Sequence, residues 1–201
     1  MDSSYPYNGS LTAEQFLFRE IRIIAKMFLE EIPLEKMIEI AKTDNLFQYP
    51  TERQIARMTR ACYKRLVALN NVGLVNELAN APVVVAKQIN LYAIMRYNRV
   101  VWEFMILVIG EKYENQDFSF SKKDLNVFFT RLQEQDDDVA SWSDKTVTKI
   151  KQVLTKILVE AEFLDSNRAT ELNHVYLHEE LENGIKENND YDVLRAFNYV
   201  G

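Results

Sequence analysis

In segment after segment of this chain, apolar positions recur at intervals of three and four residues, the period of an amphipathic helix packed on one side. Phe16, Ile23, Ile24, Met27 and Phe28 make such a stripe in a helix expected to start at a Thr12 cap and run to about Glu31. Gln15 stands three residues after Thr12, as a capping box requires. Pro33 suits the first turn of a second helix reaching about Thr43. Thr51 caps a third, with Glu52 in its first turn, and Asn70-Asn71-Val72-Gly73 ends it. Further helices are expected over 74–80, over 83–97 behind Pro82, and from Arg99 to near Gly110.

After a polar stretch, Ser121 and Asp124 announce a helix over 122–135 with Leu125, Phe128, Phe129 and Leu132 inward. Asp136-Asp137-Asp138 interrupts it. Ser143 then caps a long helix that buries Val147, Ile150, Val153, Leu154, Ile157 and Leu158 and turns Lys145, Lys149, Gln152 and Lys156 outward. Two short alternating runs, 163–164 and 172–177, flank the polar turn Asp165-Ser166-Asn167 and predict two strands. A last helix is expected over about 178–187. The fold class is therefore all-α with one small β-hairpin, as two helical subdomains. Residues 1–110 form the first, 111–120 the linker and 121–201 the second. Each holds a helix-turn-helix outline, and the hairpin stands where a winged helix carries its wing.

Composition narrows the function. Five glycines are too few for a phosphate loop or dinucleotide fingerprint, and no Ser/His/Asp order appears. No enzyme, cofactor or small-molecule substrate is expected. Cys62 is the sole cysteine, a buried structural thiol suited to a reducing cytoplasm. The most apolar run, 104–109, is far shorter than the roughly 18 residues of a membrane helix, and residues 1–10 are not expected to act as a signal peptide. His174 and His178 would share a metal only on one continuous helix, which the strand reading breaks, so no metal is expected. Tyr92, Tyr97, Trp102 and Phe104 sit at helical spacing and belong to the core.

Charge gives the positive signal. The net charge of −6 divides into +2 over residues 1–110 and −8 over 111–201. Five of the cations and one anion fall within 51–70. There Arg53, Arg57, Arg60 and Lys64 follow at spacings of four, three and four, which places them on one helical face. Such a row suits the phosphates of a nucleic acid, with duplex DNA the expected partner. Glu30, Glu31, Glu35 and Glu39 are close enough in sequence to neutralise it instead. On the second basic helix, Lys145, Thr146, Lys149 and Gln152 offer phosphate and base-edge groups, while Asp144 and Asp136–Asp138 oppose close approach. A protein partner would also suit that helix, and the acidic second part suits an adaptor that docks other proteins.

The stretches LFQYPTERQIARMTRACYKRLVAL, VAKQINLYAIMRYNRVVWEFM and VASWSDKTVTKIKQVLTKILVEAEFL resemble the BrxA family of bacterial BREX phage-defence systems. The resemblance runs from about Leu11 to about Leu177. It implies a small, helical, non-enzymatic BREX component, likened to winged-helix DNA binders and to the RNA-binding antitermination factor NusB. Other BREX proteins are implied as partners, and they would carry the methylation and ATP-driven chemistry. Some family members are labelled inner-membrane proteins, a label the hydropathy here does not support. The family supplies no catalytic set, so the candidate residues rest on their helical faces alone.

Overall fold

A computed structural model describes residues 6, 7 and 9–198. They divide into two compact units. One comprises 16–97 and 178–184, and the other the remaining described residues of 1–15, 98–177 and 185–201. The polar stretch 111–120 lies inside the second of these, and the chain passes between units at 15/16, 97/98, 177/178 and 184/185. The change in charge near residue 110 is a surface property, whereas Tyr113 and Phe120 from this stretch are buried in their unit's core.

In the 16–97 unit, α1 (Phe18–Leu29), α2 (Leu34–Thr43), α3 (Glu52–Leu69), α4 (Val72–Asn80) and α5 (Val83–Tyr97) pack around α3. Helix α3 touches α1, α2 and α5, and it buries Ile55, Met58, Cys62, Leu66 and Leu69 against them. Thr51 caps it as expected, accepting the Gln54 amide at 3.3 Å. Asn70 ends it in the left-handed region, and Asn71 at once caps α4, accepting the Leu74 amide at 2.9 Å. Among the described residues Thr12 caps no helix. Its hydroxyl donates to the Gly9 carbonyl at 3.0 Å, closing a 3-10 turn, and α1 begins only at Phe18. A tertiary demand overrides the local signal: the Phe16 carbonyl accepts from Arg65 at 3.2 Å and from Asn90 at 2.7 Å.

In the other unit, α6 (Arg99–Phe104) continues into a π-helical stretch, Met105–Gly110, and then α7 (Glu111–Glu114). After these come α8 (Lys122–Gln135), the single turn α9 (Asp137–Ala140) and α10 (Asp144–Glu160). Ser121 and Asp124 form the expected capping box. Ser143 caps α10, and the apolar stripe read from its sequence is the buried one. Helix α11 (Glu179–Glu187) starts in the 16–97 unit and ends in this one, followed by a 3-10 segment, Tyr191–Phe197.

The hairpin is absent. Among the described residues the pairing is a single antiparallel bridge, Ser119 with Glu171, flanked by bonds from the Phe120 amide to Thr170 (2.9 Å) and from the Leu172 amide to Phe118 (2.7 Å). Asn173 explains why 163–173 closes as a loop. Its amide donates to the Phe163 carbonyl at 2.9 Å, and its carboxamide donates to Glu162 and Asp165, both at 3.0 Å. The side chain thus takes the Glu162 carbonyl, which a second strand could have used, and ties the turn through Asp165. The described residues are mainly helical, and 163–177 form a loop where the wing was expected.

Candidate nucleic-acid interface

Because α3 is enclosed on three sides, only a narrow strip of it meets solvent. Arg53, Arg57, Arg60 and Lys64 all lie exposed on that strip, with Val67 beyond them. At 100° per residue the four cations span roughly 60° of arc, and at 1.5 Å rise they cover about 16 Å of axis. No ion pair or side-chain hydrogen bond within the described residues engages any of them. The acids that could have neutralised the row do not reach it: Glu39 pairs with Lys36 at 2.9 Å, and Glu52 with Lys42 at 3.6 Å. A stretch of duplex about 16 Å long carries roughly five phosphates per strand, a length the row matches.

Other cations of the same unit serve the fold. Arg65, turned to the buried side of α3, is 1% exposed and holds the Phe16 carbonyl. Arg22 donates to the Ala79 and Ala81 carbonyls at 3.1 and 3.0 Å, covering the end of α4. Arg96 does the same for α3 through Ala68 at 2.6 Å. The link from α2 to α3 runs from Asp44 to Thr51, longer than the three- to four-residue turn of a helix-turn-helix.

On α10 the four sequence candidates separate. Lys145, Lys149 and Gln152 are exposed. The Thr146 hydroxyl lies 3.0 Å from that of Ser143 within the helix cap, which engages part of its hydrogen-bonding capacity. Lys149 and Gln152 line a cleft, whereas Lys145 and Thr146 stand outside it. Sequence reading missed Lys122, Asn126 and Arg168 on the same cleft, since they come from α8 and a loop and share no period with α10. Lys151 is half-buried, donates to Asn126 at 2.9 Å and sits 5.3 Å from the Phe129 ring centre. Burial holds its ammonium below the usual lysine range.

The two histidines do not converge on one helical face. The His174 ring packs 4.1 Å from the Phe118 ring, and α11 begins only at Glu179, after His178. No helix among the described residues is long and apolar enough to cross a membrane.

Comparison with known proteins agrees over most of the chain. A "BREX protein BrxA" of Bacillus cereus is 31% identical over 162 residues, covering 81% of this chain and 80% of the relative. Proteins of the same name from Paramagnetospirillum magneticum and Escherichia coli are 21% and 23% identical, covering 94% and 92% of this chain. They cover 95% and 87% of those relatives. A crystal structure of an uncharacterized protein from Magnetospirillum magneticum shares the fold with a TM-score of 0.81 at 20% identity, over 95% of this chain and 97% of that one. The BrxA family model matches residues 5–189, and the chain belongs to the BrxA family.

Proposed function

We propose that this protein is a non-enzymatic nucleic-acid-binding component of a BREX phage-defence system, acting in the cytoplasm and holding duplex DNA through its phosphates. One observation carries the reading: Arg53, Arg57, Arg60 and Lys64 are exposed along a single strip of α3, with no carboxylate partner among the described residues. Unpaired like charges at three- and four-residue spacing destabilise a helix by a few tenths of a kcal/mol per pair, a cost that an anionic partner removes. Three of the four are arginines, whose planar fork suits bidentate phosphate contact. The strip requires neither a helix-turn-helix nor a wing.

The test is charge reversal. In R53E/R57E/R60E, loss of three phosphate contacts should lower the slope of log K against log salt by about 2.7 and weaken binding on every duplex sequence alike. Unaltered binding by a folded triple variant would overturn the assignment.

An adaptor role is the second reading, motivated by the net charge of −8 over 111–201. Co-expression with the other BREX proteins tests it, since an adaptor must co-purify with at least one of them.

A further inference from the structure

We propose that the cleft bounded by the start of α8, by α10 and by the 167–170 loop holds the backbone of a single-stranded nucleic acid. The inference rests on the nucleic-acid reading above but on different residues, in the other unit. The cleft has a volume of about 840 Å³ and is lined by Lys122, Lys149, Lys151, Lys156 and Arg168. Among the described residues no aspartate or glutamate lines it. Lys156 is drawn to Glu160 at 3.7 Å and donates to Gln15 at 2.6 Å. Lys122, Lys149 and Arg168 have no carboxylate partner among the described residues and are exposed. Five cations without a lining acid, in a unit whose sequence is otherwise rich in acids, is a distribution that favours an anion in the cleft.

Shape selects the strand. Where a helix reads a duplex, its polar face enters the roughly 12 Å major groove as a convex rod. Here the polar face of α10 is one wall of a concavity, and Lys122 and Arg168 come from the other walls. An extended strand can lie in such a channel, as single-strand binders use a cationic groove to track the backbone. The loop carrying Arg168 is held in place: its Arg168 and Ala169 amides bond to Ser166 at 3.3 and 3.0 Å, and Thr170 is tied to Phe120. Neutral groups complete the lining: Gln152 and Asn167 each offer both a donor and an acceptor, and Asn126, whose oxygen accepts from Lys151, offers its amide. Base edges use both kinds. The carboxylate side chains of an acidic peptide are acceptors only and would leave the Gln152 and Asn167 carboxamide oxygens without a side-chain donor. Lys151, short of charge stabilisation through burial, would gain it from a phosphate.

The experiment is fluorescence anisotropy of labelled hexathymidylate with the full chain at about 50 mM salt. Single-strand affinity varies as roughly the −0.7 power of salt per contact, so K149Q/R168Q should bind about 60-fold more weakly. K149E/R168E should bind more weakly still, while R53E/R57E/R60E should stay within about twofold of the parent chain. Loss of duplex binding in the arginine variant with hexathymidylate binding intact would support the cleft independently of α3. Three results would overturn the proposal: no binding of hexathymidylate, unchanged affinity in a K149Q/R168Q variant with parental circular dichroism, or displacement of the oligonucleotide by hexaglutamate at equal concentration.

Discussion

Replacing Gly184 by alanine should destabilise the protein although it sits in a helix, where alanine normally gains about 1 kcal/mol over glycine. A Cβ at this position would lie 2.5 Å from Leu74 Cγ and 2.6 Å from Cδ2, with Cδ1 closer still. Ordinary contacts at such an atom begin near 3.4 Å, so the two helices or the leucine must yield by close to an ångström. Leu74 has little room to yield: it is 2% exposed, and its amide is fixed by the Asn71 cap at 2.9 Å. Overpacking of this kind costs about 1–3 kcal/mol, and the severity here argues for the upper end. Less the helix gain, Gly184→Ala should lose about 2 kcal/mol, or roughly 4–8 °C of melting temperature for a chain of this size. Leu74→Ala removes all three clashing atoms and alone should lose about 2–5 kcal/mol. In the double variant the alanine at 184 should turn from harmful to helpful, giving a favourable coupling of about 3 kcal/mol. Thermal and urea unfolding followed by circular dichroism would measure the cycle. A raised melting temperature in Gly184→Ala, or strict additivity of the two substitutions, would refute the packing described for α4 and α11.

Two further predictions concern particular groups. The Lys112 ammonium lies 2.8 Å from Asp117 and, with bonds from Ser119, holds that carboxyl down at about 2. A folded-state value below the unfolded one means that this contribution to stability is complete above the ordinary carboxylate range and disappears as pH falls through about 2. Carboxyl NMR should find Asp117 titrating there, moving back toward pH 4 in Lys112→Met, and an ordinary value in the parent chain would refute the pairing. Cys62 is 0% exposed on the inner face of α3, so a thiol reagent should modify it only as the protein unfolds. Rapid labelling under native conditions would show that α3 opens locally.

Local signals in the sequence were legible where nothing distant competed with them. The Thr51, Ser121 and Ser143 caps all form, and the stripes of α8 and α10 are the buried faces. Thr12 failed because Arg65 and Asn90, far along the chain, claim the Phe16 carbonyl and set where α1 begins. The hairpin failed because alternation over 172–177 cannot reveal that Asn173 will supply side-chain bonds in place of a ladder. Period also could not sort the cations by task. Arg22, Arg65 and Arg96 cover backbone carbonyls, whereas Arg53, Arg57, Arg60 and Lys64 are exposed, and only packing separates the groups. The cleft was illegible for a related reason: Lys122 and Arg168 join Lys149 through tertiary structure, with no spacing to announce it.

The most direct measurement is the affinity of the unmodified chain for a short labelled duplex across a salt series. Four phosphate contacts along α3 predict a slope near −3.6 in log K against log salt, a loss of about 150-fold between 50 and 200 mM. A duplex that fails to bind at low salt, or binds with an affinity indifferent to salt, would contradict the assignment of that strip to nucleic acid.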